Sequence, residues 1–484
     1  MPPLNLPEPP ADAHLRRRAR SPRLQSLTLH LKTVTPILGG GPVARQLPEV
    51  DIIRVPTLRG HLRFWWRALY GHAFTADGER GRQELARQER ALWGGMGQGE
   101  EGARRSQVEL RVTGVQSAGR DEGRISLGTP PAYVLWTARN PSRELADVPR
   151  WKPGIQFTVE LLAPEGEAFQ QARQALRAWV LFSGYGSRTR RGCGSLTLVS
   201  PQEREAWLPA SATRSELRRL FGDVPLFSPE HAGPPYDLPL LRGASLYRGL
   251  GDTAHGDAEK VWLEALGWLR EFRQGTSTGS GARSRERLPA RNPGADNRAG
   301  RSNWPEADKI RHHALASLKG GREERLRSPA PLRAYPAEHA PRPQYTREPA
   351  WPRAGFGLPI VVHFQGKDRQ KNPYVPAEPE GVQLQWEDRD HEPKDRLASP
   401  LIVKALPLAN GRFEPIALWL ERAYPEGGGV VLVQRGKALP GTRADFDRLH
   451  ARGDSPLFWP LQREWGLRDA FFDWLEDNRK ARKA

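Results

Sequence analysis

Along residues 24–199 the spacing of apolar side chains switches between a period of two and a helical period in one fixed order, and that order admits few folds. Leu27, Leu29 and Leu31 alternate with Thr28, His30 and Lys32, the pattern of a half-buried strand, which ends at Pro36 and the glycines Gly39, Gly40 and Gly41. Over residues 57–70, Leu58, Leu62, Trp65 and Leu69 recur at helical spacing and predict a helix. Short strands are expected near 108–112, 132–136 and 155–162. A second helix is expected over 169–182, with Ala172, Leu176, Trp179 and Val180 on one side. A Gly- and Arg-rich loop over 184–194 then leads into a closing strand over 195–199. With one strand to spare, this is the β-α-β-β-α-β order of the ferredoxin-like (RRM-like) plan, which RNA-recognition modules also use. Both helices then cover one face of an antiparallel sheet, and the other face is left free for a ligand.

The second half reads as a weaker copy. A strand is expected over 239–246 and a helix over 258–272, with Val261, Ala265, Leu266 and Leu269 inward. Strands follow near 358–364, 401–406 and 430–434, and an amphipathic helix near 468–478. A length of 484 residues is too much for one ordinary core and fits two or three domains. The expected architecture is therefore α+β: a basic disordered arm (1–22), ferredoxin-like domains over 23–200 and 235–440, and a C-terminal helical extension (441–484).

Charge points to the class of partner. The chain carries a formal +18, which attracts polyanions, nucleic acid first among them. Half of that surplus lies in an insertion over 273–347, which holds sixteen Lys or Arg against seven Asp or Glu and opens on a Gly, Ser and Thr run. Its composition predicts mobility in the free protein, with an anchor at Trp304 beside Pro305. Cys193 is the single cysteine, so neither an intramolecular disulfide nor a Cys-based zinc site is available, and a reducing cytoplasm fits. The first residues lack the apolar run of a signal peptide, and no apolar run is long enough to span a membrane.

Within the loop 184–194, glycines allow close approach to a phosphate while Arg188, Arg190 and Arg191 supply charge. The bland alternative is a solvated turn, but three arginines in four positions are expected to outnumber the carboxylates within reach. On the first helix Arg59, Arg63 and Arg67 step by four and form a cationic stripe, available to RNA, a partner or acidic neighbours. His30 and His61 are the candidate acid-base groups, with a structural or RNA-contacting role the more ordinary one. The run Gly94-Gly95-Met96-Gly97-Gln98-Gly99 lacks the Lys-Ser/Thr ending of a nucleotide-binding loop and reads as a plain flexible loop. No carboxylate cluster has metal-ligand spacing, and His312-His313 has no evident further ligands.

Several segments together resemble a known family. Thr35-Pro36-Ile37-Leu38-Gly39-Gly40 and the stretch from Ile53 to Arg67 are similar to the opening of the first-numbered Cmr subunits, RAMP proteins of type III-B CRISPR complexes. The likeness continues in Ser187-Arg188-Thr189-Arg190-Arg191-Gly192, in Gly300-Arg301-Ser302-Asn303-Trp304-Pro305-Glu306, in Gly357-Leu358-Pro359-Ile360 and in Arg396-Leu397-Ala398-Ser399-Pro400-Leu401. It implies two ferredoxin-like RAMP domains and a place toward the 3′ end of the guide RNA. The implied partners are guide RNA (crRNA), single-stranded target RNA and other Cmr-type RAMP subunits, with no membrane. The expected RNA-binding residues are Arg54, Arg59, His61, Arg63, Arg67, Gly186, Ser187, Arg188, Thr189, Arg190, Arg191, Arg298, Arg301 and Trp304, with no catalytic residue, cofactor or metal. The alternatives are a metal-independent endoribonuclease that matures guide RNA through His30 or His61, and a free-standing RNA-binding regulator.

Overall fold

The computed structural model describes residues 23–39, 46–48, 51–97, 102–125, 131–135, 138–140, 147–228, 238–250, 253–274, 305–314, 346–363, 379–394, 396–425, 427–446, 448–452, 454 and 466–484. The arm 1–22 and most of the insertion 273–347 lie outside the described residues.

The first unit runs β1 (Leu24–Thr33), α1 (Val55–Tyr70), α2 (Gly78–Trp93), β2 (Glu109–Gln116), β3 (Gln156–Pro164), α3 (Glu167–Phe182) and β4 (Leu196–Leu198). Its strands lie in the order β2-β3-β1-β4, with every pairing antiparallel. Alternation fixes the register: Leu29 and Leu31 point inward opposite Val159 and Phe157, while Thr28, His30 and Lys32 face out. Pro56 in the first turn presets the helical backbone of α1, and the helix ends at Gly71. Its buried face (Leu58, Leu62, Trp65, Trp66, Leu69) packs on Leu176, Trp179 and Phe182 of α3. Full burial of an aliphatic side chain stabilises by roughly 1.5–3 kcal/mol, so the two tryptophans of α1 and the Trp179 and Phe182 of α3 together make this layer a large apolar contributor.

Two further helices, α4 (Pro201–Trp207) and α5 (Arg214–Phe221), follow β4, and Trp207, Leu217, Leu220 and Phe221 join the same core. Ser200 and Thr213 cap them, each accepting from the backbone N–H three residues on.

The second half runs β5 (Leu240–Gly249), α6 (Ala258–Gln274), α7 (Pro305–His313), β6 (Ile360–Val362), β7 (Val382–Glu387), β8 (Leu401–Pro407), β9 (Phe413–Glu421), β10 (Gly429–Gln434), α8 (Leu467–Asn478) and β11 (Ala481–Lys483). Its main sheet has the order β8-β9-β5-β11. The expected C-terminal extension is corrected here: α8 packs on α6 through Phe471, Trp474 and Phe272, and β11 completes the sheet edge beside β5. A smaller sheet, β6-β7-β10, is assembled from the segments before β8 and after β9. Helix α7 is seated against it by a fully buried ion pair, Lys309 to Asp454 at 2.9 Å. Lys309 also donates to the carbonyls of Thr346 (3.0 Å) and Glu348 (2.7 Å), and His313 Nε2 donates to Arg347 O at 2.7 Å.

The two halves stack in four layers. The first core contains Leu240, Leu241, Ile402, Leu406, Ile416 and Leu418 of the second sheet, so α1 and α3 lie between the two sheets. Helices α6 and α8 cover the second sheet's far side. With both faces covered, β8 is buried at all seven positions and β9 at eight of nine. Of these two sheets, the first keeps an uncovered face among the described residues. A second correction concerns 132–136: the expected strand is one helical turn, Ala132–Leu135, because Ala132, Val134 and Leu135 all pack into the second core.

Candidate nucleic-acid interface

The loop between α3 and β4 lies at the seam of the two halves. Trp179 Nε1 donates to Gly184 O (2.9 Å), Tyr185 N to Gly194 O (2.9 Å) and Ser187 N to Leu38 O (2.7 Å), which binds the loop along the segment after β1. Gly186 has φ +91°, and a Cβ there would stand 2.6 Å from Leu38 O, so only glycine fits. Gly192 has φ +78°, and its Cβ would stand 2.4 Å from Trp262 Cδ1 on α6. Trp262 Nε1 donates to Arg191 O at 2.6 Å, and Thr35 Oγ1 donates to Gly192 O at the same length. Thus this glycine brings the two halves together rather than making room for a ligand.

The arginines of this loop find partners after all, and the partners are carbonyls. Arg191 Nη1 donates to Leu401 O at 2.9 Å, its Nη2 lies 3.5 Å from Phe356 O, and desolvation lowers its pKa to about 10. Arg190 donates to Ser399 O and stands over the Phe64 ring at 5.3 Å. Ser187 and Arg188 are exposed, Gly186 and Thr189 half-buried. Among the described residues, Arg188 is the arginine of the three whose guanidinium takes no hydrogen-bond partner. It sits close enough to Tyr133 to interact electrostatically, and Tyr133 Oη accepts from Arg273 at 3.2 Å. Sequence patterns missed Tyr133 and Arg273: the first lay in a misread strand, the second at the edge of an insertion.

The stripe on α1 is mostly engaged within the protein. Arg63 Nε donates to Glu89 of α2 at 2.6 Å, and Arg67 Nη1 donates to the same carboxylate oxygen. Arg59 donates to Ser106 Oγ (2.7 Å) and Val108 O (3.1 Å), holding α1 to the approach of β2. Of the options open to the stripe, the structure shows acidic neighbours for Arg63 and Arg67, since α2 supplies their carboxylate. Glu89→Gln is expected to lower unfolding stability by about 1–3 kcal/mol, because two half-buried guanidiniums lose their counter-charge. A denaturant midpoint equal to that of the parent would show the stripe to be independent of Glu89.

Arg54 is half-buried at the N-cap of α1, where its backbone N–H donates to Tyr185 Oη at 2.8 Å. His61 is enclosed beside Trp179 (6.3 Å between rings) and Tyr185 (6.1 Å), its Nε2 without a partner in the described residues. Burial alone lowers its pKa to about 4, so it is neutral at physiological pH. His30 lies on the opposite, uncovered face of the sheet, 2.8 Å from Glu203. The two histidines do not share a site. The outward positions of β1 to β3 near His30 carry Thr28, Lys32, Arg111, Thr158 and Glu160, with no aromatic ring to stack a base. Arg298, Arg301 and Trp304 lie outside the described residues. Among the described residues no three His, Cys, Asp or Glu are grouped to hold a metal ion, and no helix is long and apolar enough to cross a membrane.

Comparison with known proteins places this geometry. Residues 30–197 match the RAMP superfamily. The CRISPR system Cmr subunit Cmr1-1 of Pyrococcus furiosus is 29% identical over 157 residues, 32% of this chain and 43% of that protein, so the match spans less than half of the relative. The crystal structure of apo Cmr1 from Pyrococcus furiosus aligns with 87% of this chain and 93% of its own, at 16% identity and a TM-score of 0.40. A chain of the type III-B Cmr-beta complex bound to cognate target RNA aligns with 83% of this chain and 96% of its own, at 11% identity and a TM-score of 0.38.

Proposed function

Because residues 30–197 form a RAMP-superfamily domain, we propose that the chain is a non-catalytic RNA-binding subunit of a type III-B CRISPR (Cmr) ribonucleoprotein, acting in antiviral defence. In this reading both halves are ferredoxin-like domains. Each sheet has the same strand order, with the first strand of the unit second from one edge, and two helices on one face support that reading. The subunit contacts guide RNA toward its 3′ end and target RNA, beside other Cmr-type RAMP subunits in the cytoplasm, and needs no cofactor.

The observation that carries the proposal is the exposed tip of the seam loop. Ser187 and Arg188 reach the surface while the rest of the loop is fixed, and although surrounding atoms desolvate the Arg188 guanidinium and lower its pKa, its exposed edge and the preorganised backbone are open to a phosphate. Arg188→Ala is expected to weaken binding of single-stranded RNA and to reduce the slope of log K against log salt by roughly 0.7, the share of one phosphate contact. Stability should change by no more than about 0.5 kcal/mol, since the side chain is exposed. Fluorescence anisotropy over a salt series checks this, and an unaltered slope would remove Arg188 from the interface. Cleavage of a repeat-containing precursor RNA by the purified chain in chelator would replace the binding-subunit reading with an endonuclease.

A further inference from the structure

On the outer helical layer, far along the chain from the seam loop, α6 and the end of α8 flank an open cleft of about 350 Å³. Its lining includes Thr253, Gly267, Arg270, Glu271, Arg479 and Lys480. Charges there are out of balance. Glu271 is shared by two guanidiniums, lying 3.5 Å from Arg270 Nη2 and ion-paired with Arg479. Arg479 has its pKa lowered by desolvation and by the neighbouring Arg270, the mark of two like charges pressed together. The other carboxyl in the lining, Glu264, has its pKa raised by burial, against the pull of Lys260.

Two more features point to an absent acceptor. Arg270 Nε and Thr253 Oγ1 are buried with no hydrogen-bond partner among the described residues. Both atoms lie behind the cleft wall, so the unmet donors sit beneath the guanidinium Nη groups that face the opening. Gly267 lies in the interior of α6, where it disfavours the helix relative to alanine. Neither positive φ nor packing requires glycine there, because a Cβ would meet nothing within 4 Å. What glycine supplies at this position is open volume facing the guanidiniums.

Guanidinium and ammonium groups only donate, so they select a ligand rich in acceptors and negative charge. We infer that the α6–α8 cleft is a binding site for a phosphoryl oxyanion, held by Arg270, Arg479 and Lys480. The phosphoryl group belongs either to a phosphomonoester or to the phosphodiester backbone of RNA, which present the same non-bridging oxygens.

Thermal unfolding of the full chain in millimolar inorganic phosphate, against chloride at equal ionic strength, tests the site. Phosphate at about ten times its Kd is expected to raise Tm by roughly 1–2 °C. The rise should vanish in Arg270→Gln and in Gly267→Leu. The second variant fills the open volume with a better helix former, so its own Tm should equal or exceed that of the parent. No rise in the parent, or an equal rise in both variants, overturns the proposal. Short RNA with and without a 5′-phosphate then competes against phosphate: displacement by the phosphorylated strand alone assigns a monoester, and displacement by both assigns the backbone. Displacement by neither confines the site to the free anion. None of these residues belongs to the seam loop, so this test and the Arg188 test fail independently.

Discussion

Arg191→Ala is expected to destabilise the chain by about 2–3 kcal/mol, the worth of charge-assisted hydrogen bonds to carbonyls that are then left unpaired. Its guanidinium reaches across the seam to Leu401 O and Phe356 O, and its own carbonyl accepts from Trp262. Arg188, three positions earlier, has no such bond. The two single variants should therefore separate: Arg191→Ala lowers the urea midpoint, while Arg188→Ala lowers RNA affinity at an unchanged midpoint. A triple variant that also removes Arg190 mixes the two effects and would report a fold defect as an RNA defect. Equal stability of Arg191→Ala and the parent would mean that the seam does not depend on this side chain.

Lys404 on β8 makes the second large effect. It is fully buried, donates to Ser183 O (2.6 Å) and Val180 O (3.3 Å) at the end of α3, and burial lowers its pKa from 10.5 to about 7. Between about pH 7 and 10.5 the unfolded chain binds a proton there that the native chain does not. Stability from this group therefore rises with pH across that window, by up to about 1.4 kcal/mol per pH unit. Below the window both states are protonated and the dependence stops. Lys404→Met keeps the volume and removes the titration, so the gap between parent and variant should change in the parent's favour as pH rises from 7 to 10. Urea midpoints measured across that range check it, and parallel curves for the two proteins would contradict it.

Much of the first unit was legible because β1, α1 and the first half of α3 alternate buried and exposed positions. The alternation in β1 and the helical stripes of α1 and α3 are direct records of that. Helix α2 was missed since its buried set is thin, Leu85, Leu92 and Trp93 among many charges, and without α2 the carboxylate of Glu89 had no place in the argument. The strand β9 was missed for the opposite reason. Covered on both faces, it has no alternation to read, and Pro415 within it looks like a breaker. Arg190 and Arg191 were not told apart from Arg188 because only carboxylates counted as partners, while backbone carbonyls, which every residue carries, hold these two. The open face expected of the first sheet is present, while the second sheet is covered on both sides, since nothing in a local pattern reveals that one unit's helices will cover the next unit's sheet.

The bonds that seat α7 also close a ring. His313 donates to Arg347 O and Lys309 to Thr346 O, so positions 34 and 37 apart in the chain are pinned side by side. The entropy of closing such a loop grows only with the logarithm of its length, so the buried ion pair of Lys309 and Asp454 holds the junction whatever the span it closes.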